Sequence, residues 1–126
     1  MTSLIRAGLA LALAAAPLGL ATTAHAQAAQ GAALFKTTCA LCHETVAGKI
    51  KIGPPLAGIN GRKAGTISGF TYSAAMKNSG IVWNAAKLAA YIDDPRKTVP
   101  GNRMPFFGTK DPAKAKAIAD YLVTLK

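Results

Sequence analysis

The chain of 126 residues is expected to fold as a small all-α protein. Apolar residues recur at three- and four-residue spacing in several segments, and those segments start or stop on helix-capping chemistry. No stretch shows the alternation of a half-buried strand. Gly and Pro are concentrated between the helical segments, which leaves long irregular loops rather than turns of a sheet.

The first helix is read over residues 28–39, where Gly31 and Phe35 lie four apart on one face. Residues 46–69 carry Gly48, Gly53, Pro54, Pro55, Gly58, Gly61, Gly65 and Gly69. So many breakers argue for an irregular loop wrapped around something. A short helix over 73–78 ends before Gly80, and Asn84 caps another that runs through Leu88, Tyr91 and Ile92 to a break at Pro95. In residues 98–107, Pro100 and Pro105 forbid a helix and favour an extended loop. The last helix has the clearest grammar: Asp111 at the cap, Pro112 in the first turn, and Ala115, Ile118, Ala119, Leu122 and Leu125 as one stripe. Asp111 and Lys126 would sit at its positive and negative dipole ends.

The N-terminus reads as a secretory signal. Residues 1–6 include Arg6, residues 7–21 are apolar, and Ala24-His25-Ala26 places small residues around a cut site. A membrane anchor is the alternative, but the run is shorter than the roughly 20 residues a bilayer needs and contains Pro17 and Gly19. Residues 1–26 are thus assigned to a cleaved signal and residues 27–126 to one small domain, in a periplasmic location.

Cys39-Ala40-Leu41-Cys42-His43 puts two thiols and an imidazole at the spacing that attaches a c-type haem. The sulfurs can form thioethers to the porphyrin, and His43 can reach the iron from the same side. A dithiol redox pair or half of a zinc site is the competing reading. It lacks further cysteines to complete a zinc set and the βαβ context of a thioredoxin-like motif. One covalent haem c would then be the object that the Gly/Pro loop wraps, and much of the core of so small a domain.

Signal cleavage removes His25, so His43 becomes the only histidine and a bis-histidine haem within one chain is excluded. The second axial position is left to Met76, Met104, a lysine, water or nothing. Met104 is favoured, because the proline-framed loop can aim it inward whereas the helical context of Met76 suits packing. A thioether is a soft, uncharged ligand that favours ferrous iron and raises the potential relative to a histidine pair.

The segments GAALFKTTCALCH, GPPLAGINGRKAG, FTYSAAMKNSGIVW, YIDDPRKTVPGNRMPFFG and IADYLVTL together resemble a class I cytochrome c of the cytochrome c2 and mitochondrial branch, over essentially all of residues 31–125. The resemblance implies a small cytochrome c fold in which the N- and C-terminal helices cross, Gly31 and Phe35 meeting Tyr121 and Leu122. It implies that the Pro54 carbonyl accepts the second imidazole N–H of His43, that Arg62, Tyr72 and Trp83 surround the haem propionates, and that Tyr91 lies close to the methionine sulfur. It also implies that a lysine of the methionine loop can replace the sulfur on ferric iron at high pH. Arg96 and Arg103 cannot readily deprotonate, which leaves Lys97. Asn102 departs from the pattern, standing where relatives often carry a threonine near a propionate; Thr38, Thr98, Pro105 and Met76 depart too.

The formal charge is +10. Arg6 is the only charged side chain of residues 1–26, so the mature chain keeps about +9 before propionates are counted. Lys49, Lys51, Arg96, Lys97, Arg103 and Lys110 fall in segments that resemble the rim of the exposed haem edge, where positive charge would steer an acidic partner. Nucleic-acid binding has no recognition motif to support it. The expectation is a non-enzymatic, monomeric, soluble electron carrier of a respiratory or photosynthetic chain. It would make transient contacts with membrane complexes, from a cytochrome bc1 complex or periplasmic dehydrogenase to a terminal cytochrome oxidase or photosynthetic reaction centre. The alternative is a haem enzyme or a gas or peroxide sensor with a labile or open sixth site.

Overall fold

The computed structural model describes residue 14 and residues 19–126, with side chains of the first helix described from Thr23 onward. The remaining residues of the expected signal, Arg6 among them, lie outside the described residues.

Five helices follow in order: α1 (Gly19–Thr38), α2 (Ala74–Lys77), α3 (Ala85–Asp93), α4 (Pro95–Thr98) and α5 (Pro112–Leu122). Among the described residues the only β-type pairing is an isolated antiparallel bridge between Lys63 and Val82. None of these helices is long and apolar enough to cross a membrane.

Helix ends follow the capping side chains. Ser73 Oγ accepts from the Met76 N–H at 3.0 Å and Asn84 Oδ1 from the Lys87 N–H at 2.8 Å. Asp111 Oδ1 accepts from Ala113 and Lys114 at 3.0 and 3.2 Å. Each bond satisfies an amide that the first helical turn leaves without a partner.

Three boundaries differ from the sequence reading. α1 starts well before residue 28, because its Ala-rich sequence continues to favour helix on the N-terminal side of the expected cut. Pro95 ends one helix and opens the next: Asp94 Oδ1 accepts from Lys97 N–H at 3.2 Å, so Thr98 closes α4 instead of starting the extended loop. α5 stops at Leu122 with Val123 as its cap, which leaves Lys126 beyond the last turn and removes its expected role at the negative end of the dipole.

α5 is the hub, packing on α1 and on α3, while α4 folds back on α3. Ala115, Ala117, Ile118, Ala119 and Leu122 are buried, and the alanines let neighbouring backbones approach. At the α1–α5 contact Gly31 has no room for a side chain, since a Cβ would overlap the Ala117 carbonyl. Phe35 and Tyr121 close the same crossing with ring centroids 5.6 Å apart. Leu88, Tyr91 and Ile92 of α3 complete the core with Leu56, Ile59 and Ala64 of the Gly/Pro loop. Burying a side chain the size of Ile118 contributes about 1.5–3 kcal/mol.

Candidate functional site

A cavity of about 510 Å³ opens between α1, α3 and the two long loops. Its lining takes Cys39, Cys42 and His43 from the turn after α1, Gly53 and Pro54 from the Gly/Pro loop, and Met104 from the loop after α4. Arg62, Tyr72, Trp83 and Tyr91 line it as well. Every residue singled out from the sequence for cofactor contact therefore faces one space.

The turn after α1 is built by the chain itself. The amides of Cys42 and His43 both donate to the Cys39 carbonyl, at 3.1 and 3.0 Å. Gly53 N–H donates to the Cys42 carbonyl at 2.8 Å, which brings the Gly/Pro loop against the imidazole. A Cβ on Gly53 would overlap the His43 ring, so glycine is the residue that leaves the imidazole its place.

His43 Nδ1 lies 2.8 Å from the Pro54 carbonyl oxygen. A carbonyl only accepts, so Nδ1 carries the proton and Nε2 keeps its lone pair. Burial pushes the His43 pKa down, opposed by the Pro54 bond and helped by the Lys51 charge. Burial and the Lys51 charge favour the neutral ring that binds metals, and the Pro54 bond fixes which nitrogen is free. Burial, with the neighbouring Cys42, pushes the Cys39 thiol up to about 11. That disfavours the thiolate a dithiol exchange centre needs.

Arg62 is held in the cavity wall by the carbonyls of Pro55 and Ala57. Arg62 Nη2 donates to Pro55 O at 3.0 Å and Nη1 to Ala57 O at 3.3 Å. Burial lowers the Arg62 pKa, and the nearby Tyr72 opposes the shift. Tyr72 OH accepts from the Ile67 N–H at 3.3 Å, while burial pushes its own pKa up. The Trp83 and Tyr91 rings pack at a tilt of 52° with centroids 5.3 Å apart, and burial raises the Tyr91 pKa to about 12.

Met104 is half-buried and packs against the apolar core. Its N–H donates to Asn102 Oδ1 at 3.0 Å, and its carbonyl accepts from the Phe106 N–H at 2.8 Å. Arg103 Nη2 donates to the Tyr72 carbonyl at 3.1 Å.

The residues fit a covalently tethered iron porphyrin. Two thiols, an imidazole with Nε2 unprotonated and a thioether border one largely apolar space. Among the described residues no group of three or more His, Cys, Asp or Glu could hold a metal, so a zinc site has no ligand set.

The six basic residues expected on the rim are all exposed. Only Arg103 lines the cavity. Lys51 pairs with Glu44 at 3.3 Å and donates to the Ala40 carbonyl, and Lys110 pairs with Asp94 at 2.8 Å. Arg96 lies over the Phe107 ring, 4.4 Å from its centroid. Leu41 and Ile52, 80 % and 65 % exposed, add apolar surface at the cavity mouth.

The sequence reading missed Gly53 and the internal use of Asn102. Glycine at 53 was one of many in its loop, and nothing local marks which of them touches the imidazole. Asn102 has a turn signature only once the Val99 and Pro95 carbonyls are known to face it.

The Cytochrome c family model matches residues 28–126. Cytochrome c2 iso-2 of Magnetospirillum molischianum is 50% identical over 90 residues, covering 71% of this chain and 93% of that protein. Cytochrome c2 of Rhodopila globiformis is 46% identical over 97 residues, covering 77% and 92%. The solved structure of cytochrome cH from Methylobacterium extorquens superposes with a TM-score of 0.70 at 42% identity, covering 77% of this chain and 97% of that one. The cavity and its CxxCH turn thus accompany a whole-domain match, and the chain belongs to the cytochrome c family, as a cytochrome c2-like electron carrier of all-α fold with covalently attached haem c.

Proposed function

We propose that the mature protein is a soluble, monomeric, periplasmic one-electron carrier and not an enzyme, whose haem Cys39 and Cys42 would tether and His43 and Met104 would ligate. The observation that carries this reading is the convergence of His43, fixed by the Pro54 carbonyl, and Met104, fixed by its own backbone bonds, on one cavity. Bound there, the haem supplies a reversible one-electron couple of its iron.

The chain sets the conditions for that couple. The Nδ1–H bond of His43 orients the ring and raises its basicity, and the Met104 thioether favours the reduced form. Leu56, Ile59, Tyr91 and Phe106 give the cavity apolar walls. Arg62, Tyr72 and Trp83 line the end assigned to the propionates. The exposed charges of Lys49, Lys51, Arg96, Lys97, Arg103 and Lys110 steer an acidic partner to the edge, in a brief contact of small area. A cytochrome bc1 complex or periplasmic dehydrogenase would be the donor, and a terminal oxidase or photosynthetic reaction centre the acceptor. Residues 1–26 are assigned to a signal cleaved after Ala26, and the family match from residue 28 agrees with that division.

The test is a redox titration of the purified mature protein followed by visible and far-red spectra, with carbon monoxide added to the reduced form. A ferric methionine–iron charge-transfer band, a high potential and no carbon monoxide binding support the carrier. A missing band with rapid gas binding means an open sixth site and an enzyme or sensor. Turnover with source membranes should fall steeply with ionic strength, and a flat response rejects the charged docking edge.

A further inference from the structure

The loop after α4 is fastened at both ends, and in its middle, besides the Arg103 bond to the Tyr72 carbonyl, one side chain ties the Met104 backbone to α4. At its base Thr109 N–H donates to Ile92 O at 3.0 Å, Thr109 Oγ1 to Asp93 Oδ1 at 3.1 Å, and Lys110 pairs with Asp94. Phe107 under Arg96 adds a further tie on the outside. Inside the loop, Asn102 Nδ2 donates to the carbonyls of Pro95 and Val99, each at 3.0 Å, and Oδ1 accepts the Met104 N–H at 3.0 Å. The opposite orientation of the amide would set an NH₂ against an N–H and an oxygen against two carbonyls, so the partners fix which atom is which.

Those partners make the bracing directional. Pro95 opens α4 and is fully buried, and Val99 caps it at 3% exposure. α4 is in turn tied to α3 by Thr98 Oγ1, which donates to the Ala90 carbonyl at 3.0 Å. A rigid support therefore lies on one side of the carboxamide and the Met104 backbone on the other. Pro95 and Val99 on one side and Met104 on the other are joined through three bonds of one side chain.

We propose that Asn102 is a positioning residue for the Met104 thioether, its carboxamide bracing the methionine loop against α4. This rests on Met104 being the iron ligand. A threonine hydroxyl has a single donor and cannot serve both carbonyls and the Met104 amide, so the asparagine makes a tie that the threonine of many relatives cannot. Removing it raises the fraction of molecules in which the sulfur has left the iron, without opening the α1–α5 core.

The experiment compares the holoproteins of the native chain, Asn102→Ala, Asn102→Thr and Met104→Ala. Each is read for carbon monoxide binding to the reduced form, for the ferric methionine–iron band, and for the global unfolding midpoint in denaturant. Asn102→Ala is expected to bind carbon monoxide about tenfold faster, the factor carried by about 1.4 kcal/mol. Asn102→Thr should fall between it and the native protein. The proposal is overturned if Asn102→Ala leaves gas binding and the band unchanged, or if gas binding rises only in proportion to a loss of global stability. Should Asn102→Ala fail to mature, the same comparison is decided by Asn102→Thr: faster gas binding at an unchanged unfolding midpoint supports the proposal, and native-like gas binding overturns it. Met104→Ala separates the two readings. If it keeps the band and excludes carbon monoxide, the ligand assignment fails; if it loses the band while the Asn102 variants keep theirs, only the positioning role fails.

Discussion

Gly31 of α1 rests on the backbone carbonyl of Ala117 of α5, and Tyr121 closes the contact from one turn further along. The obstacle to a side chain at 31 is backbone, which no rotamer change relieves. Gly31→Ala gains up to about 1 kcal/mol of helix propensity but forces the helices apart, and overpacking of this kind costs about 1–3 kcal/mol. Net destabilisation is expected, larger still for Gly31→Val. Denaturant unfolding of the ferric holoprotein checks the order native, alanine, valine.

Gly53→Ala should act on the imidazole instead of on the core. The added carbon meets Cε1 and Nδ1 of His43, so the ring turns and its bond to Pro54 O lengthens. A less basic imidazole stabilises the ferric state less. Losing about 1 kcal/mol of that preference corresponds to a rise in reduction potential on the order of 40 mV, given 59 mV per tenfold change for one electron. Redox titration of the variant measures it, and an unchanged or lowered potential rejects the account.

Much of this was legible in the sequence because the signals are local. Asn84 and Asp111 announce their helices by the side-chain oxygen each places at the first turn, while Ser73, read as the first residue of its helix, caps it instead, and the CxxCH spacing announces the chemistry. α4 was not legible, because Pro95 after Asp94 reads as a stop unless one knows that the Asp94 carboxylate turns to cap a new start. The exit of α5 was misjudged for a related reason. Lys126 suits a helix end chemically, but the Val123 N–H already returns to the Ala119 carbonyl and the Thr124 N–H to the Tyr121 carbonyl. Contacts between residues distant in sequence, such as Gly53 on His43, leave no local trace at all.

Asp94 gives the methionine loop an acid limit. The hydrogen bond from Lys110, together with the Lys97 amide and both lysine charges, holds its carboxyl below the ordinary value of 3.8. A depressed carboxyl stabilises the fold above its unfolded value, and that contribution is lost as pH falls through the lower folded value. The native loop should therefore loosen only below about pH 4, and Asp94→Asn should abolish that step. The effect is modest because the pair is partly exposed and screened by salt. Following the methionine–iron band from pH 5 to pH 2 in both proteins decides it.

At alkaline pH the prediction falls on Lys97. Arg96 and Arg103 are occupied, one over Phe107 and the other on the Tyr72 carbonyl, and guanidinium groups keep their protons. Lys110 is held by Asp94. Lys97→Ala is thus expected to suppress the alkaline loss of the methionine–iron band, whereas Lys110→Ala is not. An unchanged transition in the Lys97 variant rejects the assignment.

The His43 imidazole and the Arg62 guanidinium hang from adjacent carbonyls, Pro54 O and Pro55 O. The two proline rings fix φ at both residues, and Pro55 is fully buried. With φ set at both residues, the two acceptors have fewer backbone torsions through which to drift than in a stretch without proline. A neutral imidazole and a cationic guanidinium are thus placed by one short, φ-restricted stretch of backbone, so a change at either proline disturbs both side chains at once.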